Sequence, residues 1–441
     1  MSKEKRIRSD VVRDSINTFG TNAIGVVLLL VSNFAVMRRV GPDIRGYYSA
    51  VQTWGGGFYT ILSLSVAAAA IVYFVARYKI QNTKKSIVRL TGVVFLIIAV
   101  IGSLVLFVLR RSSLFGFGTM PVSYLAAIMV YALCSLILSA CLSVLRGENK
   151  FKSFNIVNLI QKILNALLYF FIAVFPSADI WIWGTNGIAI AMIFLALYGI
   201  RRWSGPKPQP VPEDDHPVPI KSVTAYSLKA HVSNVLTYVN TFLGSYVVQG
   251  KFSIAVLGLY NTAFTIMQQV WVLPDAVSQV VMSRIAAMNK QNDKLRLTLI
   301  STKVVAYISA VTALLVLWAA DIFVPLLFPK YVGALAPLAY LIVGSIFISF
   351  AKVLGNSIAA YGRPELNIIP TAVGIASNCA ACLILVPLMG INGVALSTSI
   401  SLTIQGFTSI AIFCIYSHTP VYRMFIPSRE ELASLKAIFK K

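Results

Sequence analysis

Long apolar runs separated by short polar segments fill the chain from residue 16 to residue 416. A helix needs about 20 mostly apolar residues to cross the hydrocarbon core of a bilayer. The pattern therefore predicts an all-α integral membrane protein with about twelve transmembrane helices. The predicted helices are Ile16–Met37, Tyr47–Ala76, Ile87–Leu109, Pro121–Leu145, Ser153–Phe175, Ile180–Ile200, Ala225–Val248, Ile254–Met282, Leu299–Ala320, Leu335–Ala360, Leu366–Met389 and Asn392–Tyr416.

A proline-rich stretch divides the twelve runs into two sets of six. Six prolines lie between Pro206 and Pro219, next to three acidic residues. Proline fixes φ and has no amide donor, so this stretch is typical of an extended, solvated linker. The predicted organisation is a six-helix lobe (1–200), a cytoplasmic linker (201–224), a second six-helix lobe (225–417) and a basic, amphipathic cytoplasmic tail (418–441).

Two pairs of similar short segments indicate that the lobes are internal repeats. The segment Gly46–Ala50 is matched by Gly258–Thr262, 212 positions later. The segment Asn186–Ile190 is matched by Asn392–Leu396, 206 positions later. Similar offsets in the same order favour a duplicated six-helix unit.

Composition and charge support the membrane interpretation. Of the 441 residues, 57% are hydrophobic and only 12% are charged, which is typical of a chain partly solvated by lipid. The net charge of +23 is confined to short loops, so nucleic acid is not an expected partner. With both termini cytoplasmic, twelve helices place 29 of the 38 Lys and Arg residues inside and 7 outside, as the positive-inside rule requires.

Few ionisable groups lie within the predicted spans, where each costs roughly 2.5–3.5 kcal/mol on insertion scales. The candidates for a functional role are Lys162, His231, Asp275 and Lys352, with Arg284 near the inner end of the eighth helix. The functional interpretation is a cationic cavity, open to the cytoplasm, that binds an anionic headgroup. The alternative is that the lysines snorkel to the lipid surface. Three roles are open for Asp275: a counter-ion to one of these cations, an ion-coupling group, or a side chain that satisfies the backbone at the helix kink.

Two predicted helices carry helix-weakening residues at comparable places. These are Gly55, Gly56 and Gly57 in the second helix and Pro274 in the eighth. Broken helices in matching repeats are typical of a transport site. Simple helix packing is the alternative, because Gly and Pro are frequent in membrane helices.

Motifs for enzymatic chemistry are absent from the sequence. It contains no P-loop, no HExxH and no nucleophile elbow, so neither catalytic residues nor a metal or cofactor site is predicted. Cys379 and Cys382 have CxxC spacing, but an apolar helix is a poor setting for zinc or redox chemistry. These observations disfavour a membrane enzyme of envelope synthesis.

Five segments form an ordered series along the chain. They are Arg39-Val40-Gly41-Pro42 with Gly46-Tyr47-Tyr48-Ser49; Leu145-Arg146-Gly147 with Lys150-Phe151; Leu327-Phe328-Pro329-Lys330-Tyr331; Ala360-Tyr361-Gly362-Arg363-Pro364; and Pro387-Leu388-Met389-Gly390-Ile391-Asn392-Gly393-Val394-Ala395. The series resembles landmarks of the polysaccharide-exporter branch of the multidrug/oligosaccharidyl-lipid/polysaccharide (MOP) superfamily.

The resemblance implies two six-helix bundles around a V-shaped central cavity that alternates between inward- and outward-facing states. It implies flipping of undecaprenyl-pyrophosphate-linked oligosaccharide units for O-antigen or capsule synthesis, across a bacterial cytoplasmic (inner) membrane. A polysaccharide polymerase and a chain-length regulator are implied partners, and Na⁺ or H⁺ is the expected type of coupling ion.

Other branches of the superfamily transport other substrates, and their characteristic residues can be compared with this sequence. Peptidoglycan-precursor flippases of the superfamily carry arginines in the first helix, whereas this one has Asn17, Asn22 and Asn33 as internal polar groups. The multidrug branch usually has an acidic group in its first or seventh helix, and both helices lack one here. The seventh helix has Tyr238–Phe242 where many members place a charged pair, which puts an ion site there in doubt. A cation-coupled multidrug exporter is the alternative function.

Overall fold

The computed structural model describes residues 25, 28, 31–65, 80–148, 150–202, 220–288 and 290–426. These residues are almost entirely helical and form no strand, so the predicted all-α fold class is confirmed. The helices are α1 (31–39), α2 (Pro42–Leu62), α3 (Ile80–Arg111), α4 (Val122–Gly147), α5 (Phe151–Val174), α6 (Ala178–Arg202), α7 (Ile220–Lys251), α8 (Ile254–Met267), α9 (Val272–Ala287), α10 (Gln291–Leu327), α11 (Leu335–Ala360), α12 (Ile368–Met389) and α13 (Ile391–Ser417).

Eight of these helices are long and apolar enough to cross a membrane: α3 to α6 and α10 to α13. Several extend beyond the apolar runs that predicted them. At 1.5 Å per residue, the 37 residues of α10 span about 55 Å, which exceeds the roughly 30 Å of hydrocarbon. Helical hydrogen bonding therefore continues into the polar flanks, where hydropathy no longer marks it.

The chain divides into two compact units. Unit 1 comprises Met1–Val235 and Gln249–Gly258, and unit 2 comprises Leu236–Val248 and Leu259–Lys441. Of the predicted linker (201–224), residues 203–219 lie outside the described residues, whereas 201–202 end α6 and 220–224 begin α7, so both neighbouring helices extend into it. Of the predicted tail (418–441), residues 427–441 lie outside the described residues, as does most of the first predicted helix. The lobe boundaries therefore stay a prediction.

Within unit 1, α4 is the central helix, packed against α2, α3, α5 and α6. Half of its most apolar window is buried, against 22% for α3 and α5. Its C-terminal half forms a core with α5 and α6 through Leu138, Leu145, Val157 and Ala196. The helices around α4 keep one apolar face exposed, as expected where lipid is the solvent.

Within unit 2, α11 and α13 are central and are buried over 56% and 50% of their apolar windows. Close approach of the two is possible because Gly344 lies against the backbone of Ser399 and Gly406 against the carbonyl of Phe347. The flanking α10 and α12 are only 17% buried, and large apolar side chains such as Trp318 and Leu383 face outward.

The predicted helix break at Gly55, Gly56 and Gly57 is wrong. Helix α2 runs without interruption from Pro42 to Leu62. A Cβ atom at Gly55 would lie 2.6 Å from the Tyr131 ring and 3.0 Å from the Ile128 carbonyl oxygen. Glycine therefore allows close helix packing against α4 here, which is the alternative interpretation of the glycine run.

The predicted kink of the eighth helix is present but is displaced from Pro274. A 3₁₀ turn, Gln268–Trp271, separates α8 from α9. Pro274 is the third residue of α9, in the first turn, where its missing amide donor breaks no helical hydrogen bond. The proline thus marks the start of the new helix.

Candidate functional site

The second helix of unit 1 ends in a strained turn. After α2, Leu64 and Ser65 adopt left-handed backbone conformations, with φ of 50° and 48°. Such conformations are uncommon for residues other than glycine and cluster at functional positions. The turn is tied to α7, because Ser65 Oγ lies 3.3 Å from His231 Nδ1 and accepts a hydrogen bond from Asn234 Nδ2 at 3.0 Å. His231 is therefore placed beside the end of α2.

The interruption in unit 2 carries an ion pair. Lys352 Nζ on α11 lies 2.7 Å from Asp275 Oδ1 on α9. The same ammonium lies 4.7 Å from the centroid of the Trp271 ring, within the range of a cation–π contact. Trp271 is the last residue of the 3₁₀ turn. Asp275, Lys352 and the break near Pro274 thus form one constellation.

A second polar pair continues this constellation by one helical turn. Asn356 Nδ2 donates to Ser278 Oγ at 2.9 Å, and Ser278 Oγ donates to the Asp275 carbonyl at 3.0 Å. Asp275 and Ser278 on α9 therefore face Lys352 and Asn356 on α11. Asp275 and Lys352 each lie on a helix, and the hydrogen bond between Asn356 and Ser278 joins the same two helices one turn further along. The position of the Lys352 ammonium relative to the Asp275 carboxylate is therefore fixed.

Lys162 lies inside unit 1, against the helical residue Gly25. A Cβ atom at Gly25 would be 2.8 Å from Lys162 Nζ and 2.9 Å from its Cε. The missing side chain of Gly25 thus provides the space that the lysine stem occupies. The stem packs against another part of the protein, which differs from the lipid-facing arrangement of a snorkelling lysine.

The structure brings together only some of the predicted site residues. It pairs Asp275 with Lys352, whereas Lys162 and His231 belong to unit 1. Arg284 is exposed in the last turn of α9, more than two turns beyond Asp275. A single cavity shared by all four cations stays a prediction.

Arg45 is a candidate that the sequence analysis does not include. Hydropathy places it just before the second predicted helix, but the structure places it in the first turns of α2, where it is 5% exposed. Its Nε and Nη1 atoms have no hydrogen-bond partner among the residues that the structure describes. The sequence does contain a signal, because Gly41-Pro42 is a helix start and places Arg45 inside the next helix.

An aromatic cluster lies one turn further along α2. The Tyr48 ring stacks on Trp181 at 4.1 Å, and the Tyr48 hydroxyl lies 2.9 Å from that of Tyr169. Gln52 Nε2 donates to the Tyr48 hydroxyl at 2.6 Å. Arg45 follows the same helix face as Tyr48 and Gln52, so a buried cation adjoins a polar aromatic surface in unit 1.

The region of α7 that lacks charged residues is occupied by a neutral network. Asn240 donates to Gln405 at 2.8 Å and accepts from Ser401 at 2.8 Å, and Gln405 donates to Thr371 at 3.1 Å. These residues join α7, α12 and α13 within unit 2. Among the described residues, no group of three or more His, Cys, Asp or Glu side chains is arranged to hold a metal ion.

Comparison with solved structures identifies the architecture. The chain is similar to the lipid II flippase MurJ in an inward closed conformation, with a TM-score of 0.67 and 15% identity over 97% of this chain and 92% of that one. An inward-facing multidrug resistance MATE family transporter of the MOP superfamily gives 0.66 and 14% identity over 90% and 94%. The fold is that of MOP superfamily transporters.

An outward-facing structure of a MATE family transporter of the same superfamily gives a TM-score of 0.59, with 15% identity over 95% of this chain and 96% of that one. No protein-family model and no curated protein matches the sequence. The resemblance to the MOP superfamily is therefore confirmed for the fold alone, and membership of the superfamily and of any branch stays a proposal.

Proposed function

We propose that this protein is a flippase that moves undecaprenyl-pyrophosphate-linked oligosaccharide units across the bacterial cytoplasmic membrane by alternating access. The observation that carries the proposal is the sign of the buried charge. Among the described residues, the buried charged side chains are Arg45 and Lys303, both cations. An anionic pyrophosphate fits such an interior, whereas a cationic drug does not.

The acidic group nearest to a helix interruption supports the same assignment. The Asp275 carboxylate is already paired with Lys352, so it offers no unpaired negative charge to a cationic substrate. A phosphate group, in contrast, can replace the carboxylate as the partner of the ammonium. Asp275 then acts as a placeholder that keeps Lys352 paired while no substrate is bound.

The alternative is a cation-coupled multidrug exporter. It is favoured by the similarity to MATE family structures, and in it Asp275 would carry a coupling H⁺ or Na⁺. The two functions differ in which member of the pair is essential. Anion transport needs Lys352, whereas coupling by a carboxylate needs Asp275.

The test is flipping by the purified protein in liposomes. We expect the wild type to transfer an undecaprenyl-pyrophosphate-linked oligosaccharide between leaflets and the Lys162→Ala, Lys352→Ala double variant to be inactive. Lys251→Ala removes an exposed cation at the end of α7 and serves as the matched control. Wild-type flipping by the double variant, or drug efflux without any lipid flipping, contradicts the proposal.

In the cell, the proposal places the protein in the inner membrane together with a polysaccharide polymerase and a chain-length regulator. Deletion of the gene should then stop surface glycan assembly and accumulate lipid-linked units in the inner leaflet. Surface glycan that is unchanged in the deletion strain argues against the assignment.

A further inference from the structure

The aromatic cluster beside Arg45 contains hydrogen-bond donors without partners. Two of the three guanidinium nitrogens of Arg45, Nε and Nη1, have no partner among the residues that the structure describes, and neither has the indole Nε1 of Trp181 on α6. Arg45 is 5% exposed and Trp181 only 1%. Buried polar groups in folded proteins are nearly always paired. These donors therefore point to an acceptor that comes from outside the cluster.

Tyr169 on α5 connects the two unpaired groups. Its hydroxyl lies 2.9 Å from that of Tyr48 and within electrostatic range of the Arg45 guanidinium. Its ring meets the Trp181 ring edge-on at 5.4 Å, and the Tyr48 ring stacks on the same indole at 4.1 Å. Arg45, Tyr48, Tyr169 and Trp181 thus form one cluster within unit 1, which we call the Arg45 site.

The tyrosine hydroxyls of the site supply a further donor. The Tyr48 hydroxyl accepts from Gln52 Nε2 at 2.6 Å and shares one hydrogen bond with Tyr169. One of the two hydroxyl protons serves that bond, and the other remains for another acceptor. The Arg45 site thus combines guanidinium, indole and hydroxyl donors, a set that an oxyanion accepts from.

The helices that build the site supply no counter-charge to Arg45. Helix α5 contains no acidic residue, and α2 and α6 contain one each, Asp43 and Asp179. Both are exposed, and among the ion pairs of the described residues none joins either of them to Arg45. A buried cation is costly without an opposite charge. The negative group that fits the site is therefore one that a ligand brings.

We propose that the Arg45 site binds the carboxylate of an acidic sugar, so that the transported oligosaccharide contains a ring with a carboxyl group. This inference rests on the proposed function. The site has one positive charge among neutral donors, which matches a single carboxylate more closely than a doubly charged pyrophosphate. Tyr48 and Gln52 are only half-buried and form the side that a ligand can approach. An aromatic face next to an amide suits a sugar ring, which has an apolar face and a polar edge.

The position of the site separates it from the group predicted to bind the pyrophosphate in unit 1. Tyr169 lies seven residues beyond Lys162 on α5, which is about 10 Å along the helix. An anion at Arg45 and a pyrophosphate at Lys162 are then different groups of one substrate. A sugar attached to the pyrophosphate can supply the first of them.

The first test compares two substrates that differ in one group. Undecaprenyl-pyrophosphate-linked oligosaccharides with glucuronate or glucose at the same position are flipped by the purified protein in liposomes, at concentrations below saturation. The wild type should prefer the acidic unit by about tenfold or more, and Arg45→Met should lower this preference about tenfold or more. Arg38→Met removes an exposed cation from α1 and should leave the preference unchanged.

A second variant tests the site without removing its charge. Trp181→Phe keeps a ring against Tyr48 but removes the indole N–H, and it should lower the preference for the acidic unit about threefold or more. Trp183→Phe is the matched control, because this tryptophan lies on the same helix and is 40% exposed. Equal flipping of the two units by the wild type overturns the proposal. So does an equal loss for both units in Arg45→Met and Trp181→Phe, which assigns these residues to the pyrophosphate or to the fold.

Binding to the site can also be measured without any lipid-linked substrate. Sodium glucuronate should raise the melting temperature of the purified full-length protein in detergent, whereas glucose, or sodium chloride at the same ionic strength, should not. Arg45→Met should abolish the increase. An equal increase with inorganic phosphate that also depends on Arg45 identifies a general oxyanion site and overturns the assignment to an acidic sugar.

The two proposals fail in different ways. If glucuronate stabilises the protein through Arg45 but neither lipid-linked unit is flipped, the proposed function fails and the Arg45 site stands. If both units are flipped at the same rate and glucuronate has no effect on the melting temperature, only the Arg45 site fails.

Discussion

The pair of Asp275 and Lys352 allows the sharpest test of the transport chemistry. Two unit charges 2.7 Å apart attract by about 6 kcal/mol at an effective dielectric of about 20 and by about 1.5 kcal/mol in water. Desolvation offsets most of this attraction. The lysine side chain is 23% exposed and the aspartate 47%, so the pair lies between a surface pair, worth about 0.2–1 kcal/mol, and a buried one. We expect a coupling energy of about 1–2 kcal/mol.

The two single variants should differ in function. Asp275→Asn leaves the ammonium above the Trp271 ring, where a cation–π contact of about 0.5–2 kcal/mol still holds it. This variant should keep flipping and bind the pyrophosphate headgroup more tightly, because the competing carboxylate is gone. Lys352→Met should lose flipping at normal membrane abundance.

The measurement is a double-mutant cycle, with unfolding free energy and flipping rate determined for both singles and the double variant. Glu365→Gln is the control, since its pair with Arg363 is 3.6 Å long and both side chains are more than half exposed. Loss of flipping in Asp275→Asn with retention in Lys352→Met would refute the placeholder role and favour ion coupling by the carboxylate.

Three further predictions concern topology, charge and packing. Labelling of cysteine substitutions with an impermeant reagent should place Lys207, Lys290 and Lys436 in the cytoplasm and Arg111 and Lys330 outside. Labelling of position 290 from outside would contradict the twelve-helix topology. Arg45→Met should raise the melting temperature, because it removes a buried cation whose Nε and Nη1 lack partners among the described residues, and it should lower the flipping rate. The exposed Arg38→Met should change neither quantity. Unchanged flipping in Arg45→Met would leave Arg45 without a transport role. Gly55→Ala should destabilise the protein by about 1–2 kcal/mol through overpacking against Tyr131. Gly92→Ala should stabilise it by up to about 1 kcal/mol, because alanine has the higher helix propensity and its Cβ meets nothing within 4 Å. Stability changes of the same sign for both variants, measured by thermal unfolding in detergent, would contradict the packing argument.

Hydropathy predicted the fold class and most of the helices because apolar length is a direct consequence of bilayer thickness. It failed where helices continue into polar sequence, as α10 does for several residues before Leu299. It also failed at Arg45, because a charged residue near a helix start resembles a loop in a hydropathy profile. The Gly41-Pro42 start signal was the better guide.

The sequence selected candidate residues one by one but could not predict their arrangement, and their role as a transport site stays a prediction. The cost of burying charge selected Lys162, His231, Asp275 and Lys352. Which of them meet depends on packing between helices far apart in sequence, such as α9 and α11, and no local pattern encodes it. The strained turn at Leu64 and Ser65 gave no sequence signal, because neither residue type favours a left-handed backbone.

Gly46 lies against the Ile254 carbonyl oxygen, and Gly258, 212 positions later, lies against the Pro42 carbonyl oxygen. This reciprocal contact bears on the history of the chain. In a half-length ancestor that paired with a second copy, one glycine codon would have built both halves of the contact, so every substitution would have acted twice. If the predicted repeat arose by duplication, the two halves of the contact became separate positions, which now differ as Pro42 on one side and Ile254 on the other. A substitution in the present chain then changes one half of the contact and leaves the other intact.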